Sequence, residues 1–291
     1  MSTAAGGLDP RAPLAITLDG RAVALDAPAL PPTERGYTYG DGLFETIPVR
    51  GGRPFEAERH LARMIASAQV LGLPVPEATA VERAIAATLH DAGATAGVVR
   101  ITWSRGSGGR GYAPPLAGEG GAPRLLVVAY PPPPPPAGGP ESGLHLASVR
   151  GVTPGDLAAH KTLSAIHYVV AADRARAAGA DDALLIDARG RILETTVANV
   201  FTVIAGRVVT PPATLPLLAG IGRARVMAAL AARGAGSAAA EQAFDLAALF
   251  RASEAFAASA VRGVVPIVAV DGRAIGAGLP GPTSRSLRDT A

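Results

Sequence analysis

The chain has 291 residues, 48% of them hydrophobic and 18% charged, which is enough for two domains and too apolar for wholesale disorder. It has no cysteine, so disulfide scaffolds, thiolate metal sites and cysteine nucleophiles are excluded. The net charge of +3 comes from interspersed signs and aromatics are only 4%, so no nucleic-acid stripe or base-stacking platform is expected.

Met1–Pro10 carries neither a charged n-region nor an apolar h-region. No apolar run reaches the ~18 residues of a membrane span. A cytoplasmic protein without membrane contact is expected. The first element is a β-hairpin, Ala15–Leu18 and Val23–Leu25 around the turn dipeptide Asp19-Gly20. Leu43–Val49 is a strand ended by Gly51-Gly52. Glu56–Leu71 is helical, with Leu61, Met64 or Ile65, Ala68 and Leu71 on one face. Val81–Leu89 is a second helix, closed by Gly93. Val98–Trp103 and Leu125–Tyr130 are buried strands, separated by the glycine-rich loop Ser104–Tyr112.

Pro131–Pro136 followed by Gly138-Gly139 is a stiff polyproline stretch. It sets a domain boundary: an N-terminal α+β domain over 1–130, a linker over 131–139 and a C-terminal domain over 140–291. His145–Val149 is then a strand. Thr162–Ala178 is helical and stops at Gly179. Ala183–Ile186, Ile192–Glu194 and Val200–Ile204 are strands, with a turn at Arg189-Gly190. Gly222–Ala232 and Gln242–Arg251 are helices. Ala255–Ser259 and Val264–Val270 are strands before the Asp271-Gly272 turn. The strands cluster without regular helix alternation, which points to α+β layers rather than a doubly wound sheet.

Lys161 is the only lysine in a chain whose other basic side chains are arginine. An arginine-rich composition explains the missing lysines but not the survivor. Only lysine can deprotonate near neutral pH and attack a carbonyl to form a Schiff base. Placed at the start of the Thr162–Ala178 helix, its amine is expected to have a pKa lowered by burial and the helix dipole.

The segment Arg35-Gly36-Tyr37-Thr38-Tyr39-Gly40-Asp41-Gly42-Leu43-Phe44-Glu45-Thr46 resembles the N-terminal signature of class IV pyridoxal-phosphate enzymes. These are fold type IV enzymes and include aminodeoxychorismate lyase and the D-amino-acid and branched-chain aminotransferases. The resemblance continues through Arg59-His60-Leu61-Ala62-Arg63, His160-Lys161-Thr162-Leu163, Gly179 to Leu185, Glu194 to Phe201 and Gly220-Ile221-Gly222-Arg223. It implies a small N-terminal α/β sandwich, a larger C-terminal pseudo-barrel domain, and a homodimer acting on an amino-acid-like substrate.

The resemblance also implies roles. Lys161 carries pyridoxal 5'-phosphate and moves the substrate proton. Glu194 faces the pyridine nitrogen. Arg63 holds the phosphate, with Arg59 the competing choice. Ile221 and Gly222 cap the same phosphate at a helix N-terminus, although many relatives carry threonine at the position of Gly222. Thr195, Thr196 and Ser259 lie near the cofactor. Ser104–Tyr112 looks like the substrate-side loop of the lyase, with Arg105, Arg110, Tyr112 and Phe44 on the substrate, although D-amino-acid aminotransferases also carry a carboxylate-binding arginine in this loop. Arginines in a solvated surface loop are the alternative there. Ser259 stands where lyases usually have asparagine. Glu45 does not discriminate lyase from aminotransferase.

Overall fold

The computed structural model describes residues 12–24, 26–27, 30–116, 119–134, 142–234, 236, 238–288 and 290. Pro135–Pro136, Gly138-Gly139 and Leu25 lie outside the described residues. The chain divides into two compact units. One holds residues up to Pro134 together with Lys161–Ser164; the other holds Pro135–His160 and Ala165–Ala291.

The first unit contains β1 (Ala15–Leu18), β2 (Arg21–Ala22), α1 (Arg35–Tyr39), β3 (Gly42–Arg50), β4 (Arg53–Pro54), α2 (Ala57–Val70), α3 (Ala78–Ala92), β5 (Ala96–Ser104) and β6 (Arg124–Tyr130). Its six strands form an antiparallel sheet in the order β2-β1-β6-β5-β3-β4. Side chains alternate across a strand, so Leu43, Ile47 and Val49 share one face with Val99, Ile101, Leu125 and Val127. That face packs with Leu61, Met64 and Ala68 of α2 and Val81, Ile85 and Leu89 of α3. Each such fully buried Leu, Ile or Val is worth about 1.5–3 kcal/mol. Gly93 ends α3 in a left-handed conformation, φ 57°, and its N–H closes the last turn on Leu89 and His90.

The second unit contains β7 (Leu144–Arg150), a 3-10 turn (Gly155–Ala159), α4 (Ile166–Ala177), β8 (Asp182–Ile186), β9 (Ile192–Thr195), β10 (Asn199–Ile204), β11 (Arg207–Thr210) and α5 (Ile221–Ala232). It continues with β12 (Ala240–Glu241), α6 (Leu246–Leu249), β13 (Glu254–Ser259), β14 (Gly263–Val270), β15 (Arg273–Ala274) and α7 (Pro282–Ser286). The sheet runs β12-β11-β10-β13-β14-β7-β8-β9, and β9 pairs back to β10. The closing pair is Asn199 opposite Glu194. Closure makes six of these strands a barrel and removes their free edges. The register sets Phe201 opposite Phe256, and their rings stack at 5.1 Å. This is the two-domain α+β fold of type IV that the sequence leads one to expect.

Three expected boundaries are corrected. The partner strand of β1 is Arg21–Ala22, not Val23–Leu25. The helix expected over Thr162–Ala178 begins only at Ile166. Lys161–Leu163 instead pairs with β3: the Phe44 N–H donates to the Lys161 carbonyl and the Leu163 N–H to Gly42, both at 2.9 Å. A backbone committed to a strand edge cannot also start a helix. The helix expected over Gln242–Arg251 shrinks to Leu246–Leu249, because the Gln242 N–H donates to Thr210 and Asp245 supplies the N-cap.

Candidate active site

In the first unit, two charged groups converge on the face of the sheet opposite its core. Phe44 on β3 and Arg100 on β5 point to that face, and the Arg100 guanidinium lies 3.8 Å from the Phe44 ring centroid. The Lys161 Nζ lies 4.3 Å from the same centroid. The edge pairing with β3 places it there. The expectation that Lys161 sits at a helix N-terminus is therefore wrong, since a dipole effect fades within one turn and α4 starts five residues on. Nothing in the sequence singles out Arg100, which reads as the polar position of an alternating strand. Burial lowers its pKa from the usual arginine value, and no carboxylate pairs with it among the described residues.

Glu45 lies between these two faces in chain order but on the core side, beneath α2, and is fully buried. Arg63 forks onto it, with Nε to Oε1 and Nη2 to Oε2 both at 2.7 Å, and His60 Nδ1 lies 2.7 Å from Oε2. Spacing of three residues puts His60 and Arg63 on one face of α2. Burial pushes the Glu45 carboxyl up, but hydrogen bonds from His60 and Arg63 and the Arg63 charge outweigh it and hold it below the usual range. Arg59, the alternative to Arg63, is exposed and pairs with Glu56 at 3.1 Å.

The glycine-rich loop is stapled to α1. Arg35 donates to the carbonyls of Gly111 and Tyr112 at 3.1 and 3.0 Å, and the Tyr39 hydroxyl accepts from the Gly111 N–H at 2.9 Å. Asp41 receives both Arg35 and Arg105 at 2.8 Å. Arg105 also donates to the Gly72 carbonyl, so it braces the loop root. Arg110 and Tyr112 are exposed. Gly40 ends α1 at φ 67°, and Gly42 packs so tightly that a Cβ would lie 2.5 Å from the Trp103 carbonyl. The two glycines of the signature thus permit the turn into β3 that carries Phe44.

In the second unit, Glu194 is buried at the barrel seam. Its carboxylate accepts from the Tyr168 hydroxyl at 2.7 Å, the Leu218 N–H at 3.2 Å and the Asn199 side-chain amide at 3.4 Å. These three neutral donors orient the carboxylate. Burial pushes the Tyr168 hydroxyl pKa strongly up, and the Glu194 charge pushes it further, so Tyr168 stays a donor. Nor does the sequence single out Tyr168: an aromatic in a helical pattern reads as core. Thr195 Oγ1 accepts from the Ala198 and Val197 N–H groups, and the Thr196 hydroxyl donates to Asp182 at 2.6 Å. Both threonine hydroxyls are spent on the β9–β10 turn and its neighbour.

Beside Glu194, the twelve-residue α5 begins at Ile221 after Gly220, with no side chain capping it. A Cβ on Gly222 would lie 2.5 and 2.8 Å from the Ser259 carbonyl carbon and Cα and 2.9 Å from the Ala260 nitrogen. A threonine at this position requires that backbone to move. Ser259 Oγ accepts from the Arg262 N–H at 3.1 Å. An uncapped helix start with a close glycine suits an anion. A primary amine, an oriented carboxylate and this anion cradle are the groups pyridoxal phosphate requires, so the residues present fit that cofactor.

Residues 42–270 match the family model described as Amino-transferase class IV. The chain is 32% identical over 242 residues to an aminodeoxychorismate lyase of Vibrio harveyi, covering 82% of this chain and 86% of that one. Among solved structures it resembles 4-amino-4-deoxychorismate lyase of Pseudomonas aeruginosa, with a TM-score of 0.78, 32% identity and 94% and 97% of the two chains covered. It also resembles the pyridoxal-phosphate-bound form of a hypothetical aminotransferase of Mycobacterium tuberculosis, with a TM-score of 0.82, 25% identity and 95% and 96% covered. The chain belongs to the class IV aminotransferase family and is a pyridoxal-phosphate-dependent enzyme.

Proposed function

We propose that the protein is a 4-amino-4-deoxychorismate lyase that releases 4-aminobenzoate and pyruvate. The observation that carries this reading is the stapled Ser104–Tyr112 loop, which leaves the exposed Arg110 guanidinium for a substrate carboxylate. Arg100, a half-buried cation beside Phe44 and Lys161, supports an anionic substrate on the same face of the sheet. The relatives at 32% identity support it as well.

When bound, the cofactor withdraws electrons from the carbon that carries the substrate amine. The residues do the rest. Lys161 would hold the cofactor covalently, and its Nζ would take the proton from that carbon. Glu194, set by Tyr168 and Asn199, would face the ring nitrogen. Arg63 and the amides of Ile221 and Gly222 would hold the phosphate. Ser259, Thr195 and Thr196 would shape the surroundings of the cofactor. Arg105 would keep the loop in place, and Arg110, Tyr112 and Phe44 would meet the substrate. The reading includes a cytoplasmic homodimer, which sedimentation equilibrium checks.

A second reading is an aminotransferase acting on D- or branched-chain amino acids. Ser259, where lyases usually have asparagine, favours it. One assay separates the two. Holoenzyme is mixed with aminodeoxychorismate, following 4-aminobenzoate and pyruvate, and separately with L- and D-amino acids plus 2-oxoglutarate. Equimolar 4-aminobenzoate and pyruvate is the expected result. Keto-acid formation with no 4-aminobenzoate would overturn the lyase reading.

A further inference from the structure

The barrel of the second unit has two ends. Glu194, Asn199 and Ser259 lie at one. The hairpin turns β8–β9 and β10–β11 lie at the other, about 17 Å away along the six residues of β10 at ~3.3 Å per residue. At this far end three chain segments enclose a concave groove of about 620 Å³. The β8–β9 turn brings Arg189 and Arg191. The β10–β11 turn, at Ala205 and Gly206 with φ 48° and 78°, brings Arg207. The stretch around α6 brings Gln242 and Arg251.

The charge of this groove is not balanced internally. Arg191 is held by Asp187 at 2.6 Å. Asp245, the carboxylate in the wall, is turned to the Ala248 N–H at 2.8 Å as the cap of α6. Arg189, Arg207 and Arg251 are exposed, and none of their guanidinium groups has an ion-pair or hydrogen-bond partner among the described residues. Three guanidinium groups from three separate segments repel one another, so they do not favour this arrangement on their own account. The floor between them is apolar, formed by Ile204, Val209 and Phe244. The volume falls in the range of small-molecule sites.

We propose that this groove is a second ligand site, remote from the cofactor-binding end of the barrel, for a small organic polyanion. Its anionic groups would engage Arg189, Arg207 and Arg251, and its apolar body would cover the floor. Guanidinium forks suit both phosphates and carboxylates, so a phosphate ester and a polycarboxylate share the required chemistry.

Isothermal titration of the holoenzyme at 0.15 M salt tests this. The probes are ATP, citrate, inorganic tripolyphosphate and adenosine. ATP or citrate is expected to bind saturably at one site per chain, and which of them binds more tightly identifies the anion type. Adenosine is expected not to bind. Each of R189A, R207A and R251A should weaken binding about tenfold, and the triple variant should abolish it. All three side chains are at the surface, so the variants should melt with the parent, and their basal activity should be unchanged. Absence of saturable ATP or citrate binding overturns the proposal. So does binding that the triple variant retains. Tripolyphosphate binding as tightly as ATP removes the role given to the apolar floor and overturns the organic-ligand assignment.

Discussion

Two buried carboxylates, one in each unit, are treated in opposite ways. Glu45 sits beneath α2 and receives the Arg63 fork and His60. Glu194 sits at the barrel seam and receives a phenol, an amide side chain and a backbone N–H. The first carboxylate is paired with a guanidinium and serves to place that arginine. The second is fixed in direction by a phenol, an amide and a backbone N–H. Burial alone is thus not informative about function; the kind of donor that meets each carboxylate is.

The largest expected effect comes from removing the charge that neutral donors orient. Glu194→Gln should lower kcat by roughly 10²–10⁴-fold, the scale of losing assistance to a proton transfer. Its stability should hardly change, because Gln is nearly isosteric. Steady-state kinetics with a melting curve checks both, and unchanged turnover in the cofactor-loaded variant would remove Glu194 from the mechanism.

Glu45→Leu should do the reverse. It leaves the Arg63 guanidinium without the Glu45 carboxylate and removes the partner of His60 Nδ1, which costs about 3–5 kcal/mol for a buried pair broken on one side. Urea unfolding measures this. The pH dependence follows from the same cluster. The Glu45 carboxyl lies below its ordinary 4.5, so its contribution is complete above that value and fades as pH falls through the folded-state value. Acid titration of Glu45→Gln should therefore lose a part of the wild-type stability decline below about pH 4.5. Identical acid profiles would mean that Glu45 carries no such linkage.

Much of this was legible from the sequence. Leu43, Ile47 and Val49 alternate as a half-buried strand does, and Lys161 stands out because arginine cannot do its chemistry. What escaped was non-local. Residues 161–163 read as the first turn of a helix, and only their pairing with β3, far away in the chain, forbids it. Tyr168 reads as core until α4 is docked beside β9, where its hydroxyl meets Glu194. Arg100 reads as a solvated strand position until Lys161 arrives on the same ring. The barrel closure is a pairing of Asn199 with Glu194 that no local pattern announces.

A more modest effect sharpens the role of the neutral donors. Tyr168→Phe removes one hydrogen bond to a carboxylate, worth roughly 1.5–3 kcal/mol. The Glu194 carboxylate then loses the donor on Oε1 and keeps those on Oε2, so cofactor affinity should fall about tenfold or more while the protein remains folded. Titrating pyridoxal phosphate into the apo variant reads this directly. Unaltered affinity would show that Asn199 and Leu218 suffice to hold Glu194.

The smallest effect separates two arginines of one loop by the same criterion. Arg105 is consumed: Asp41 takes its Nε at 2.8 Å and the Gly72 carbonyl takes its Nη1 at 2.6 Å. Arg110 is exposed, six residues after Ser104, in a stretch where Arg35 and Tyr39 fix the backbone at Gly111. Arg105→Ala therefore removes two internal bonds, about 1–2 kcal/mol of stability, with Arg35 still on Asp41. Arg110→Ala should leave stability within about 0.5 kcal/mol, as for surface positions generally. If its guanidinium meets a substrate carboxylate, its loss should raise KM about tenfold with pyridoxal-phosphate affinity unchanged. Parallel melting curves and KM values for the two variants decide between bracing and binding. Should Arg105→Ala raise KM at full stability while Arg110→Ala leaves KM alone, the consumed arginine would be the one that binds, and the partners of a charged group would no longer forecast its role in this protein.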